Sequence, residues 1–281
     1  MNWWWFLLSI VFIVLSHAIR GWRWKLALSP LGYNPRSTTC VDSIFIAYGA
    51  NLVIPRIGEV SRCAVLDRYE KVPFVHSLGT VVSERIIDSI MVAGMTVSAI
   101  AMQWNIFAAF FNEANNNNNN ETSATAGLAI IIVSLLAVAT LLLFLLRKMS
   151  IWSKLKSFIA RFWEGMTTLA KIKNIKLFIL ETVGIWFCYF MQFYLCFFCF
   201  PFSSNLSIFA AFLMFVAGSI AVIVPTPNGA GPWHFVVASL MMLYGVEAGD
   251  AQMFALIVHS LQTLIVALLG VYGWIRLQFI K

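Results

Sequence analysis

Long apolar stretches separated by short basic segments set the pattern of this chain. Five stretches lie at residues 3–19, 73–103, 126–147, 175–200 and 251–276. A helix needs about 20 mostly apolar residues to cross the hydrocarbon core of a bilayer. The pattern therefore predicts an all-α polytopic membrane protein with about five full transmembrane helices.

Three shorter apolar stretches, at 38–55, 207–224 and 233–245, are interrupted by proline and glycine. The breaks fall at 55–59 and 225–232, where a regular helix cannot continue. We predict two re-entrant broken-helix hairpins, one through 38–55 and back through 60–71, the other through 207–224 and 233–245. Irregular backbone at that depth must be buried in protein or line a cavity.

The basic residues indicate which ends of the helices share one side of the membrane. The connection from 147 to 176 carries eight Lys and Arg, whereas the loops at 104–125, 201–206 and 232–250 carry none. Basic loops stay in the cytoplasm. We therefore place the segments 20–36 and 56–71 and the C-terminus on the cytoplasmic side. If 38–55 crossed the membrane fully, 56–71 would lie on the opposite side, so a hairpin at 38–71 is predicted. The net charge of +7 thus reflects membrane sidedness and does not indicate nucleic acid.

The order span, hairpin, span occurs twice with opposite orientation. We predict a single transmembrane domain with a first repeat at 1–103 and a second at 126–281, joined by an outside Asn-rich loop at 104–125. A shift of 174 residues places Arg85 on His259 and Asp88 on Gln262. Coincidental alignment of two membrane segments is the alternative. Inverted repeats with broken helices are typical of transporters. The second repeat's span at 126–147 has no counterpart before Trp3, so one N-terminal helix is expected to be missing.

Charged residues mark the first repeat. Arg85 is the one basic residue placed inside a continuous apolar span, and such residues usually face a cavity or a partner. Either these charges form an internal ion-pair lock, or their guanidinium groups bind a lipid phosphate while the carboxylates balance the empty site or carry a coupling proton. The candidate substrate-binding residues are Arg56, Glu59, Arg62, Glu84, Arg85 and Asp88.

A polar stripe runs along the predicted helix that carries Arg85. Ser77, Thr80, Glu84 and Asp88 recur at helical spacing. We expect this stripe to line a water-accessible groove that a headgroup could follow.

The second break supplies the other candidate gate. A histidine there is either a packing residue or a proton relay. Two histidines without nearby cysteines or paired carboxylates predict no metal site, and Cys196 and Cys199 are interpreted as apolar filler. No cofactor motif is found. The candidate gate residues are Pro225, Pro227, Asn228, Gly229, Gly231, His234, His259 and Gln262.

Four segments carry a family resemblance: RGWRW at 20–24, NLVIPRIGEVSR at 51–62, SERIID at 83–88 and VPTPNGAG at 224–231. Together they resemble the flippase-like transmembrane family of lysylphosphatidylglycerol synthetases, over nearly the whole chain. The resemblance implies a polytopic helical fold and movement of lipids, such as aminoacylated phosphatidylglycerol, between leaflets. Full-length members usually have an additional N-terminal helix.

This chain departs from the family at two positions and in one domain. His234 and His259 stand where the family commonly has a Glu and often an Arg, which leaves the headgroup open. No synthetase domain follows Lys281, so we do not expect the chain itself to aminoacylate a lipid.

The leading hypothesis is a translocator that moves an anionic phospholipid or a lipid-linked substrate between the leaflets of the bacterial inner membrane, with no cofactor and no nucleic-acid partner. Its partners would be membrane lipids, and either a second copy of the chain or a separately encoded synthetase. One alternative is an intramembrane enzyme with Glu84 or His259 as general base, for which no nucleophile–base pair is found. The other is a non-catalytic scaffold for a separate lipid synthetase.

Overall fold

A computed structural model describes residues 2–103, 163, 171–224 and 226–279. This part of the chain contains eight α-helices and no strands, which confirms the all-α class. The helices are α1 (Trp3–Leu28), α2 (Ser37–Val53), α3 (Gly58–Glu70), α4 (Phe74–Met102), α5 (Ile175–Phe197), α6 (Ile208–Ala221), α7 (Pro232–Leu243) and α8 (Ala248–Gln278). The predicted span at 126–147, the whole Asn-rich loop at 104–125 and Pro225 lie outside the described residues.

The chain divides into two compact units. One comprises Met1–Ala99 with Phe162–Lys281, and it contains every feature described below. The other, Ile100–Arg161, lies almost wholly outside the described residues. The division into two sequence repeats stays a prediction.

Among the described residues, four helices are long and apolar enough to cross a membrane: α1 with the short 3₁₀ turn that follows it, α4, α5 and α8. They match four of the five predicted spans, and the protein is a multi-pass membrane protein. One boundary was wrong, because α1 does not end at residue 19 but continues to Leu28. The segment 20–28 is therefore helical, and its arginines are enclosed by protein.

The first broken pair, α2 and α3, folds back on itself as predicted. Gly58 N donates to Asn51 Oδ1 (2.7 Å), and a Cβ on Gly58 would lie 2.3 Å from the carbonyl oxygen of Ala47, so only glycine fits. At the opposite ends of the two helices, Thr39 Oγ1 donates to Glu70 Oε1 (2.6 Å). The start of α2 and the end of α3 therefore lie side by side. Entry of this pair into a membrane stays a prediction.

The second broken pair, α6 and α7, also packs together. Its break contains backbone in the left-handed region, at Asn228 (φ 52°) and at Gly229 (φ 76°). The two helices meet where Gly218 faces the indole of Trp233, and a Cβ on Gly218 would lie 2.9 Å from Trp233 Nε1. The Pro/Gly segment thus turns the chain back instead of extending α6.

Small residues allow the helices to approach closely. α1 packs along α5 and α2, α2 packs on α8, and α7 packs on both α6 and α8. A Cβ on Gly49 would lie 3.0 Å from the Cα of Gly270, where α2 crosses α8. A Cβ on Gly21 would lie 2.7 Å from Val41, where α1 meets α2. Glycine contacts of this kind are typical of helix packing in membranes.

Candidate functional site

The polar stripe of α4 is confirmed as one helix face, but its predicted surroundings were wrong. Ser77, Thr80 and Glu84 are fully buried and Asp88 nearly so. The face packs against α1, where Trp24 Nε1 donates to Thr80 Oγ1 (2.9 Å). The stripe therefore faces the interior of the protein, because α1 covers what was expected to be an open groove.

Two arginines of α1 meet the acidic residues of this stripe. Arg20 Nη1 lies 2.8 Å from Asp88 Oδ2, and Arg23 Nη1 lies 3.1 Å from Asp88 Oδ1. Arg23 Nε also lies 3.3 Å from Glu84 Oε1. Both arginine side chains are almost completely buried. Their ion pairs let both arginines stay inside the bundle, and the cytoplasmic placement of the segment 20–36 stays a prediction.

Sequence reasoning missed Arg20 and Arg23 although a signal was present. They are three residues apart, and Glu84 and Asp88 are four residues apart, so each pair lies on one face of its helix. Continuing the first helix past residue 19 would have shown a cationic face able to match the anionic face. Instead, the predicted helix ended at residue 19, because the hydropathy of the chain falls at Arg20.

The first turn of α3 completes the group. Arg62 Nη1 lies 2.9 Å from Glu84 Oε2, and its guanidinium stacks over the Trp24 ring at 4.6 Å. Glu59 Oε1 lies 3.2 Å from Arg85 Nη2. The break before α3 thus places Glu59 and Arg62 beside α4, and Trp24 is buried in this group.

We call this group the ion-pair cluster; it comprises Arg20, Arg23, Glu59, Arg62, Glu84, Arg85 and Asp88. Four guanidinium groups against three carboxylates leave one net positive charge. Arg85 differs from the other arginines because 44% of its side chain is exposed, whereas the others are at most 2% exposed. Arg85 is therefore the cation of the cluster that a ligand can reach.

A narrow cleft opens onto the cluster. Its polar lining includes Tyr48, Asn51, Glu59, Arg62 and Arg85, and its free volume of about 10 Å³ is at most the size of one water molecule. Glu59 Oε2 is buried and has no hydrogen-bond partner among the described residues. The same holds for Arg62 Nη2. These atoms could form hydrogen bonds with a ligand or with water. The cleft is too small for a lipid headgroup, so headgroup binding would require it to widen.

Arg56 lies apart from the cluster and does not line this cleft. It occupies the first break in left-handed backbone (φ 65°), and its Nη2 donates to the carbonyl oxygen of Ile223 (2.6 Å) at the end of α6. The structure therefore brings the two breaks together through Arg56. The prediction that Arg56 binds the headgroup beside Arg85 finds no support in this arrangement.

The second break forms a separate hydrogen-bonded group. His259 Nε2 donates to the carbonyl oxygen of Asn228 (3.0 Å), and Asn228 Nδ2 donates to Thr263 Oγ1 (2.8 Å). The ring of His234 lies 4.4 Å from that of His259. Gly231 N donates to His234 Nδ1 (3.2 Å), so the amide of this glycine is already engaged.

The remaining gate residues lie nearby. Pro227 and Gly229 begin and end a 3₁₀ turn, and Gln262 is partly buried one turn after His259. Within the described ranges, no hydrogen bond or ion pair joins this group to the ion-pair cluster. The two predicted halves of the site are thus distinct, and Arg56 is the described side chain that connects the two breaks.

In the part of the chain that the structure describes, no group of three or more His, Cys, Asp or Glu side chains could hold a metal ion. All five cysteines are free and buried, including Cys196 and Cys199.

The fold and the cluster define a polytopic helical membrane protein with charged residues buried between its helices. A family model described as the lysylphosphatidylglycerol synthase TM region matches residues 1–270, and the chain belongs to this family. Glycosyltransferase AglD of Haloferax volcanii is 31% identical over 88 residues, which is 31% of this chain and 14% of that protein. The chain thus matches only a small part of that relative. No solved structure matches the chain.

Proposed function

We propose that this protein moves an anionic lipid between the leaflets of the bacterial inner membrane, with its C-terminus in the cytoplasm. The observation that carries the proposal is the buried ion-pair cluster with one net positive charge and one accessible guanidinium, Arg85. Family membership supports a lipid as the substrate, since the family is named for a lipid synthase region.

The charge of the cluster favours one negative charge on the substrate. Buried charges are costly unless they are paired, and three carboxylates pair the four guanidinium groups incompletely. A lipid phosphodiester carries a single negative charge and would complete the pairing. Arg85 suits this role because guanidinium groups bind phosphate oxygens through two parallel hydrogen bonds.

Headgroup binding would begin by displacing Glu59. Glu59 Oε1 pairs with Arg85 Nη2 at 3.2 Å, and both side chains are partly exposed. An incoming phosphate would compete for Arg85, while Arg62 Nη2 and the side chain of Asn51 supply further polar contacts at the cleft. Asp88 remains held by Arg20 and Arg23, so the rest of the cluster stays in place during the exchange.

The two broken helix pairs would act as gates. They meet at Arg56 and Ile223, and broken helices that meet inside the bilayer mark the substrate site in transporters with inverted repeats. An inverted repeat would let either side of this contact open in turn. His234 and His259 would belong to the gate of the second repeat.

The test is a leaflet-exchange assay on the purified protein in liposomes that contain head-labelled phosphatidylglycerol. We expect the wild type to accelerate exchange and Arg85→Ala to lose at least about tenfold of that rate, as expected from about 1.4 kcal/mol of lost substrate binding. Arg68→Ala, at an exposed basic residue of α3 outside the cluster, is the matched control and should keep the rate. If correctly folded wild-type protein exchanges lipid no faster than protein-free liposomes do, the proposal is refuted.

The similarity to Glycosyltransferase AglD favours one second candidate function. The chain would then serve a reaction on a lipid-linked substrate, either as an intramembrane enzyme or as a scaffold for a separate synthetase. Conversion of a lipid-linked substrate by the isolated protein, followed by mass spectrometry, would establish the enzyme. Conversion that requires a co-expressed synthetase would establish the scaffold.

A further inference from the structure

We propose that Glu181 of α5 is a proton-carrying residue that sets the affinity of the ion-pair cluster for an anion. This inference rests on the proposed function and deepens it, because it couples lipid movement to a proton. Glu181 was not among the residues that the sequence analysis selected, although it is an acidic residue in a predicted span.

Glu181 precedes, on α5, a residue that contacts the cluster. The next residue, Thr182, accepts a hydrogen bond from Arg23 Nη1 through its Oγ1 (3.2 Å). Arg23 is therefore the cluster arginine that reaches this turn of α5. Glu181 is partly buried, and its Oε2 is buried with no hydrogen-bond partner among the described residues.

The pairing of Glu181 differs from that of the carboxylates in the cluster. Glu59, Glu84 and Asp88 each have at least one guanidinium nitrogen within 4 Å. Among the described residues, Glu181 has no Lys or Arg nitrogen within that distance. A proton on any of the first three would disrupt an ion pair, whereas a proton on Glu181 would not. Glu181 is therefore the carboxyl group that can exchange a proton while the cluster stays intact.

The surroundings of Glu181 make Arg23 the group that responds to this proton. α5 packs on α1 and α6, and α6 carries no ionisable side chain. Arg23 also pairs with two carboxylates of α4. Several charged and titratable groups lie on α1, α2, α4 and α5 near Arg23 or near Glu181 along the chain. They are His17, Arg20, Arg23, Tyr48, Glu84, Asp88, Lys176 and Tyr189.

The charge balance gives the mechanism. With Glu181 ionised, four carboxylates face four guanidinium groups, and Lys176 is exposed and lies outside this set. The set is then neutral and has little attraction for an anion. When the Glu181 carboxylate takes a proton from water, one O–H bond forms and one net positive charge remains. An anionic headgroup and a proton are then bound together, and both leave together when the carboxyl group releases its proton to water on the other side. Net transfer is electroneutral.

The test is the pH dependence of lipid binding by the purified full chain. Short-chain dihexanoyl phosphatidylglycerol is titrated by calorimetry between pH 5 and pH 9. Because one proton is linked to one anion, the Kd of the wild type should rise by up to about tenfold per pH unit above the titration of Glu181. Glu181→Gln is neutral at all pH values, so it should keep the tight acidic Kd throughout.

Two controls separate a specific effect from a structural one. Glu181→Asp keeps a titrating carboxyl group and should keep the slope. Glu247→Gln changes an exposed acid at the start of α8 and should leave the slope unchanged. A flat wild-type profile, or a Glu181→Gln profile that keeps the wild-type slope, would overturn the proposal.

A transport measurement distinguishes failure of this inference from failure of the proposed function. In liposomes, an acidic lumen should accelerate outward lipid movement by the wild type and have no effect on Glu181→Gln. If both proteins exchange lipid at a rate that does not depend on the pH gradient, proton coupling is refuted, but the proposal of a lipid translocator is not. A pH-dependent Kd without any exchange would support Glu181 and refute translocation.

Discussion

Arg23 makes the most varied contacts of the ion-pair cluster. Its side chain is fully buried and binds Glu84, Asp88 and Thr182, so it connects α1 with α4 and α5. Arg85 is also in the cluster, but almost half of its side chain is exposed. Arg23 therefore belongs to an ion-pair lock, whereas Arg85 stays the candidate for contact with a ligand.

The two arginines should affect stability differently. Removing one partner of a buried ion pair leaves an uncompensated charge, so Arg23→Ala should lower the free energy of unfolding by about 3–5 kcal/mol. Arg85→Ala should cost less than about 1 kcal/mol, because exposed ion pairs are screened by water. Thermal unfolding in detergent checks this. Similar losses in the two variants would contradict the assignment of separate roles.

Glu70 fastens the open ends of the first broken pair. Burial on its own would raise the pKa of Glu70, but hydrogen bonds from Thr39 and Arg36 outweigh it and hold the pKa below its ordinary value. A lowered pKa in the folded state stabilises the protein above the ordinary pKa, and this contribution disappears as the pH falls through the lowered value.

Glu70→Gln should therefore be less stable than the wild type at pH 7. The difference in unfolding midpoint should shrink as the pH falls below about 4, where the ordinary glutamate protonates. Urea unfolding at several pH values in detergent measures it. A difference that stays constant down to acidic pH would show that the ionised carboxylate does not hold these ends together.

The two breaks are the elements on which opening and closing depend. Arg56 and Asn228 both adopt left-handed backbone, which is strained for residues other than glycine. Arg56 also places a positive charge at the C-terminal end of α6, where the helix dipole is negative. This contact should hold the two broken pairs together in the described conformation.

Arg56→Ala should loosen the second break with little effect on the cleft. We expect faster amide hydrogen exchange at residues 222–231, because the carbonyl of Ile223 loses its partner, while lipid affinity falls far less than in Arg85→Ala. Arg56→Lys keeps the charge and should show an intermediate rate. A loss of affinity as large as that of Arg85→Ala would restore Arg56 as a headgroup ligand.

The crossing of α2 and α8 depends on two glycines. A Cβ on Gly270 would lie 2.9 Å from the Cα of Gly49, so Gly270→Ala forces two backbones apart and should cost about 1–3 kcal/mol. Gly94→Ala is a matched control, because no atom of the described residues lies within 4 Å of its added Cβ in α4. There we expect a gain of about 0.5–1 kcal/mol, since alanine favours helix. Equal effects on the unfolding midpoint would contradict the close approach.

Local sequence signals located most of these elements and some of the site. Uninterrupted apolar sequence located α4, α5 and α8, and proline with glycine located both breaks. Both features depend only on residues that are close in sequence, so the sequence alone was sufficient to find them. The end of α1 could not be found in this way. Arg20 and Arg23 stay in the bundle because Asp88, more than sixty residues away in sequence, neutralises them. Helical spacing likewise grouped Glu84 with Asp88, but only tertiary packing shows that α1 covers them.

As a whole, the molecule combines two broken helix pairs with a positively charged cluster beside one of them. Family membership covers residues 1–270 and places the chain among lipid-related membrane proteins. The cluster would bind the headgroup, Glu181 would regulate its charge, and the contact at Arg56 would control opening. The inverted repeat and the bacterial inner membrane remain predictions of this account.

The charge of the transported lipid tests this account most directly. Purified protein in liposomes would be supplied with head-labelled phosphatidylglycerol, which is anionic, or with its lysylated form, which is cationic. The net positive cluster predicts that the anionic lipid crosses at least about tenfold faster, and that Arg85→Ala removes this preference. Faster crossing of the lysylated lipid, or a preference that survives in Arg85→Ala, would contradict the central role of the ion-pair cluster.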